Sequence, residues 1–411
     1  MLSALLCFLA FNIPGASAQP VVAFTSDNVD SRIQYNFGRS IAVGGGGEIN
    51  AIHQVWVETT QVYTTTEVQG KIVYRLSPDG GKTWTPNKVL TQSIRTGYPK
   101  IAAYGPYVYV VYHESVANDV GVTSQSVKLL TSKQLGIDWH QSALMPVPTT
   151  VSACGAFPTV AAYANYFHVA VSCHDSIFKT AEVYYRGGYW NATSTAWLSD
   201  LKMVSYASYG TSQSNVGDGR SSWTPEIAVE GPDIYIAWTD ERYNTVDCAK
   251  TNSDLCFEEV YLRRSHNLGQ TWQPEQRITN SPRNIGHNAS AIAVSNGTVH
   301  IALTRKPEPE WNVYYVRLTN KGADKQAEIP IAVGAPYYER PSIAAQGLDV
   351  QIAFHGITPG VGSKIYRTSS ADGGKSFAPN VEIPNTLNFS YQVSIAMDLK
   401  GKTHLIFPGD T

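Results

Sequence analysis

One short pattern recurs along the whole chain and constrains its fold more than any other feature. A proline or small residue is followed by Ile-Ala or a close equivalent, then a turn and a second apolar strand. Copies stand at Ser40-Ile41-Ala42, Pro99-Lys100-Ile101-Ala102, Pro158-Thr159-Val160-Ala161 and Pro225-Glu226-Ile227-Ala228. Three more follow at Ser290-Ala291-Ile292-Ala293, Pro341-Ser342-Ile343-Ala344 and Ser394-Ile395-Ala396. Their spacing, roughly 50 to 70 residues, fits one multi-stranded blade per copy. A third strand follows in six of the seven copies, as in Lys71-Ile72-Val73-Tyr74-Arg75, Val260-Tyr261-Leu262-Arg263 and Lys364-Ile365-Tyr366-Arg367. With charged residues at 16% and β-formers abundant, the composition suits many short strands joined by turns.

The third strands run into tight turns: SPDGGKTW at Ser77 to Trp84, SHNLGQTW at Ser265 to Trp272 and SADGGKSF at Ser370 to Phe377. SKQLGIDW at Ser132 to Trp139 keeps the outline in altered form. A carboxylate or amide at the third position can accept turn N–H groups, and Gly81, Gly269 and Gly374 can take φ > 0. The aromatic that ends each turn supplies apolar surface to pin the hairpin. These turns resemble the Asp-box, the bacterial neuraminidase repeat. The expected fold is therefore all-β: a β-propeller of four-stranded antiparallel blades with Asp-box hairpins, seven blades by the repeat count, six as the alternative.

The first residues read MLSALLCFLAFNIPGASAQP. The short apolar core Leu2 to Ile13 followed by Ala16-Ser17-Ala18 has the form of a signal peptide, residues 1–18, leaving 19–411 as a single propeller domain. Secretion, extracellular or periplasmic, is expected. The apolar run is shorter than the ~20 residues a spanning helix needs, so no membrane span is expected. Val21 to Thr25 reads as a strand that pairs with Thr403 to Phe407 and closes the last blade; closure removes sheet edges that would otherwise recruit other chains. Lys plus Arg is 31 against 33 Asp plus Glu, which leaves no basic field for nucleic acid. No cofactor motif and no metal-ligand spacing is present, so neither is expected.

Candidate site residues come from aligning the repeats. Glu58, Glu114, Asp175 and Asp240 each stand two residues past the position that ends the second strand, in QVWVE, VVYHE, VSCHD and AWTDE. Arg305 takes that place in the fifth copy, and His355 stands one place earlier in the sixth. His113 and His174 precede two of the carboxylates. The loops entering the repeats add Arg39, Tyr98, Trp223, Glu226, Arg340 and Tyr391, and Arg242 follows Asp240. Carboxylates beside Arg and Tyr suit glycoside chemistry, and aromatic faces suit sugar rings. The same carboxylates could instead tie down loops through backbone N–H bonds.

Over nearly the whole mature chain the pattern resembles the secreted Asp-box propellers related to sialidases. The resemblance implies an extracellular glycan or polysaccharide as partner, and a sialidase-like glycoside hydrolase as the activity. It makes Arg39, Arg242, Arg305 and Arg340 candidates for binding a substrate carboxylate, Tyr391 with Glu226 candidates for the nucleophile pair, and Asp240 or another of the aligned carboxylates the candidate for acid/base catalysis. The sialidase entry motif Arg-Ile-Pro is absent, because the corresponding stretch is Asn36-Phe37-Gly38-Arg39-Ser40-Ile41. A non-catalytic glycan- or protein-binding propeller and a polysaccharide lyase therefore stay open as alternatives. Four cysteines follow the leader. Cys154 precedes an inner strand whose antiparallel partner ends at Cys173, and Cys248 and Cys256 flank one short loop. Mass mapping of unreduced peptides should join Cys154 to Cys173 and Cys248 to Cys256; free thiols, or a Cys154–Cys248 link, would contradict this pairing.

Overall fold

The structure, a computed structural model, describes residues 4–11, 31–32, 39–44, 50–62, 68–93, 96–117, 123–142, 151–175, 181–191, 194–205, 222–241, 258–280, 285–307, 311–334, 337–358, 360–384 and 393–410. They form antiparallel sheets, each an up-and-down run of neighbouring strands. The fourth repeat shows the plan: Ser222–Glu230, Asp233–Asp240, Glu259–Ser265 and Gln276–Arg277 pair in chain order. The first two repeats follow it and are joined into one nine-stranded sheet through the single pair Gly70↔Thr96.

The inner strands face a common centre. One cavity of about 230 Å³ is lined by the Ile/Val-Ala segments of all seven repeats, from Ile41-Ala42-Val43 to Ile395-Ala396-Met397, with Arg39 at its rim. The apolar core is divided among clusters that lie between consecutive sheets. One packs Ala102, Tyr109 and Val111 against Val160, Val169 and Val171. Another packs Ile41, Ile52 and Trp56 of the first repeat against Ile406 of the last. Each buried aliphatic side chain contributes about 1.5–3 kcal/mol, so the sheets are held face to face mainly by this burial.

The final sheet pairs Ser394–Met397 with Thr403–Asp410. The outer edge of Thr403–Asp410 is taken by Ala4–Phe11, from Ala4↔Asp410 to Phe11↔Thr403. That edge was assigned to Val21 to Thr25 from the sequence, and those residues lie outside the described ones. The apolar stretch read as the leader's core thus occupies the slot.

Three of the four turns share one hydrogen-bond scheme. Asp79 Oδ1 accepts from Ser77 Oγ (2.9 Å), Lys82 N (3.0 Å) and Thr83 N (2.8 Å), while Gly81 N donates to Ser77 Oγ. Asp372 repeats this with Ser370, Lys375 and Ser376, and Asn267 does so with Ser265 and Thr271. In the altered copy the carboxylate comes from the far side of the turn. Asp138 Oδ1 accepts from Ser132 Oγ (2.6 Å), Lys133 N and Gln134 N, while Gly136 N still donates to Ser132 Oγ.

A buried latch joins neighbouring repeats at alternate junctions. His53, His168 and His300 lie on second strands, and each Nδ1 meets a third-strand tyrosine hydroxyl: Tyr74 (2.7 Å), Tyr185 (2.8 Å) and Tyr315 (2.6 Å). Tyr74 and Tyr185 donate to Leu135 and Leu268 carbonyls in the turn of the next repeat. Since that uses the hydroxyl proton, the histidine proton sits on Nδ1. The turn aromatics Trp139, Trp272 and Phe377 pack edge-on against the three tyrosines at 4.8–4.9 Å between centroids. Gly136, Gly269 and Gly374 lie over the tyrosine hydroxyls, where a Cβ would stand 1.9–2.4 Å from oxygen.

Burial pushes His53 and His168 down to about 3 and His300 to about 4, from 6.5. A second ring proton would sit on Nε2, for which the described residues offer no acceptor. A base with a depressed folded pKa stabilises the fold fully above its unfolded value near 6.5, and this stability is lost as pH falls toward about 3 to 4. Tm should therefore fall steadily on acidification below about pH 6.5. Tyr185→Phe, which leaves His168 Nδ1 unbonded, should cost about 1–3 kcal/mol in denaturant unfolding. An unchanged midpoint would remove the latch from the account of stability.

Candidate functional site

The site is built by a bulge repeated where the inner strands begin. Register slips occur between Gly97 and Lys100, Ala156 and Thr159, Trp223 and Glu226, Asn288 and Ala291, and Glu339 and Ser342. In four of these bulges the residue before proline is left-handed: Tyr98 (φ 50°), Phe157 (φ 52°), Thr224 (φ 46°) and Arg340 (φ 52°). Pre-proline sterics and the Cβ both disfavour such a φ, which costs about 1–3 kcal/mol each. Bulges of this kind re-aim side chains at barrel rims and active sites.

Two residues after the first three of these positions, side chains from three repeats meet at one carboxylate. Glu226 is buried; Lys100 Nζ donates to its Oε1 and Thr159 Oγ1 to its Oε2 (3.3 Å). Arg39 Nε lies 3.8 Å from Glu226 Oε2, and its Nη1 and Nη2 donate to the carbonyls of Val160 (3.3 Å) and Ile292 (3.2 Å). Lys100 and Arg39 thus share the Glu226 carboxylate, with Arg39 also lining the central cavity. Burial lowers the Lys100 pKa and Glu226 pulls it back.

The second-strand row differs from the sequence alignment at one place. Val169 pairs with Val160 as Ile236 pairs with Ile227, so Cys173 stands in register with Glu58, Glu114, Asp240 and Arg305. Asp175 lies two residues beyond. The third copy, VAVSCHD, has no aromatic to mark the strand end, so Cys173 took that role in the alignment. Cys173 instead bonds Cys154, its cross-strand partner, at a Cα separation of 4.1 Å.

Asp240 is buried and accepts from Ser222 Oγ (2.8 Å) and Trp238 Nε1 (3.0 Å). Glu114 is half-buried beside Lys128 Nζ at 3.3 Å. Glu58 is half-buried across from Lys71. Glu339 bridges Arg340 Nε and His355 Nδ1, each at 3.4 Å. The Arg305 guanidinium lies 5.1 Å over the Tyr314 ring. Tyr98 stacks on His113 at 5.9 Å and meets Phe157 edge-on at 5.3 Å. Burial pushes His113 down to about 4, so its ring is neutral near neutral pH. Trp223 is half-buried at the fourth bulge. His174 and Asp175 end a strand, but their side chains lie outside the described residues, as do Tyr391, Arg242, Cys248 and Cys256 entirely.

The sequence reading missed a row of acids on the third strands. Glu182 accepts from Ser205 Oγ, with Ser222 Oγ 3.3 Å away. Burial alone would raise Glu259, but hydrogen bonds from His287, Thr279 and Arg277 outweigh it and hold the carboxyl at about 2. The signal was present: Ala181-Glu182-Val183-Tyr184-Tyr185-Arg186 and Glu258-Glu259-Val260-Tyr261-Leu262-Arg263 are the same segment in successive repeats. Phe157 was missed too. Among the described residues no group of three or more His, Cys, Asp or Glu side chains is placed to hold a metal.

No family model and no curated protein matches the sequence. Solved structures do resemble the chain. An ulvan lyase, a polysaccharide lyase, is 10% identical over 92% of this chain and 96% of its own, with a TM-score of 0.56. A protein of unknown function from Dyadobacter fermentans is 10% identical over 93% and 98%, with a TM-score of 0.53. Trypanosoma rangeli sialidase is 10% identical over 79% and 56%, at 0.44. The fold is all-β, and the solved structures it resembles include a polysaccharide lyase.

Glu226→Ala removes the carboxylate to which the buried Lys100 Nζ donates and should cost about 3–5 kcal/mol. The double variant Lys100→Met/Glu226→Leu should recover most of that loss in urea unfolding. Equal loss in both would show that the ion pair is not what Glu226 contributes.

Proposed function

We propose that the protein is a secreted seven-bladed Asp-box propeller that acts on an acidic extracellular polysaccharide at the rim of its central cavity. The observation that carries this reading is the cation pair Arg39 and Lys100 over the single carboxylate Glu226, beside the neutral His113 and the Tyr98 hydroxyl. The Arg39 guanidinium, partly exposed on the cavity, suits a uronate or another anionic sugar. A neutral imidazole and a phenol within one blade suit β-elimination. His113 takes the proton next to the sugar carboxylate, the C–O bond to the leaving sugar breaks as the ring double bond forms, and Tyr98 returns a proton to the leaving oxygen. The ulvan-lyase likeness in fold is consistent with that chemistry.

Sialidase-like hydrolysis is the second reading. It is favoured by Asp240, held by Ser222 and Trp238, as an acid/base, with Arg39 and Arg340 for a substrate carboxylate. The two readings differ in product. Incubation with ulvan, polygalacturonate and sialyl-lactose should give an unsaturated uronate, seen as new ultraviolet absorbance. His113→Ala and Tyr98→Phe should each lower kcat by about 100-fold or more. Free sialic acid without unsaturated product would replace elimination by hydrolysis, with Asp240→Asn as its dead variant. No binding to any of the three would overturn the glycan reading.

A further inference from the structure

The third inner strand carries more surplus backbone than its neighbours, and the surplus is pinned at both ends. From Cys154 to Thr159 the chain takes five steps, while its partner takes three from Cys173 to Ala170. The corresponding stretch of the second repeat, Gly97 to Lys100 against His113 to Val111, is three steps against two. The extra residues form a double bulge that includes Phe157. One end is fixed by the Cys154–Cys173 disulfide. The other is fixed by Thr159, whose hydroxyl donates to the buried Glu226. Phe157 is itself left-handed and half-buried, in edge-on contact with Tyr98, which in turn stacks on His113. A large apolar side chain held in a disfavoured backbone conformation, and not taken into the core, is what a contact surface requires.

We infer that Phe157 is a binding residue, the aromatic platform on which the apolar face of a pyranose ring rests beside Tyr98, and that the Cys154–Cys173 disulfide is its positioning device. The inference rests on the glycan reading of this rim. The axial C–H groups of a sugar ring are attracted to an aromatic face, and the geometry of that contact matters as much as its area. Neither Arg39 nor Lys100 can supply such a contact, since both recognise charge. Phe157 therefore serves the ring itself, and its contribution is independent of the sugar's acidic group.

The test is affinity electrophoresis of the full chain through gels containing ulvan, polygalacturonate or neutral laminarin, with Tm recorded for every variant. Phe157→Leu should weaken retardation by about 5- to 10-fold on whichever polysaccharide retards the wild type, and Phe157→Tyr should stay within about 2-fold. Should Phe157→Leu fail to fold, Phe157→Met, also ringless, takes its place. The Cys154→Ser/Cys173→Ser variant should lose affinity to the same degree while still unfolding cooperatively. Phe157→Leu or Phe157→Met binding as tightly as wild type would overturn the platform and leave the glycan reading standing. A disulfide-free variant with full affinity would overturn the positioning role. A wild type retarded by none of the three would overturn both.

Discussion

The tyrosine hydroxyls buried between neighbouring sheets are the interaction on which the rest of this molecule depends. A four-stranded sheet has two faces to cover, and only the sheets on either side can cover them. Apolar packing such as Tyr109 against Phe167 supplies most of the adhesion but does not set the relative height of two sheets. The triad of histidine, tyrosine and turn does set it. Tyr74 can bond His53 and the Leu135 carbonyl only if Gly136 sits over its oxygen. The same holds for Tyr185 with His168, Leu268 and Gly269. Height thus becomes a matter of hydrogen-bond geometry, with a buried unpaired nitrogen as the penalty for a slip. At the junction of last and first repeats, Asp398 does the equivalent work. It accepts from Asn50 and from the amides of Lys400 and Lys402, and it contacts His404 Nε2 at 3.0 Å.

Once the heights are fixed, equivalent positions in successive sheets meet, and the rim acquires its chemistry. Lys100, Thr159 and Glu226 occupy the same step of three different inner strands, just before Ile101, Val160 and Ile227. Their convergence needs no local motif, only that three strands enter at one level. Arg39 comes from the position one step earlier in the first repeat and reaches carbonyls of the third and fifth. It contributes to holding the cavity rim together and also supplies its charge. The bulges before these residues cost backbone strain and gain reach, because each extra residue turns a side chain out of the pleat.

The acids divide by environment. Glu182 and Asp240 meet at Ser222 between the third and fourth repeats, and Glu259 lies beside His287 of the fifth; hydroxyl, indole and guanidinium donors surround these acids. Donors of this kind stabilise the charged form, and for Glu259 they override the cost of burial. Glu114 and Glu58 remain half-exposed. A chain with nearly balanced charge thus concentrates its acids in bonded pockets and leaves guanidinium groups, those of Arg39 and Arg340, partly open at the rim.

What the sequence determined by itself was the scaffold. Ile-Ala after Pro, an alternating apolar second strand, and a Ser-x-Asp-x-Gly turn ending in an aromatic each report a local requirement: burial with period two, φ > 0, an acceptor for turn amides. Such requirements are met within a few residues, so they leave a readable trace, and the cross-strand pair Cys154–Cys173 was legible for the same reason. The site was legible only as a list of candidates. Tertiary structure decided that Glu226 meets Lys100 and Arg39, that Cys173 and not Asp175 shares the row of Asp240, and that Phe157 sits in a bulge against Tyr98. Each of these depends on register and on the height of one sheet against the next. Those are set by hydrogen bonds and packing between residues more than fifty positions apart, as from Lys100 to Glu226, and no local pattern records them.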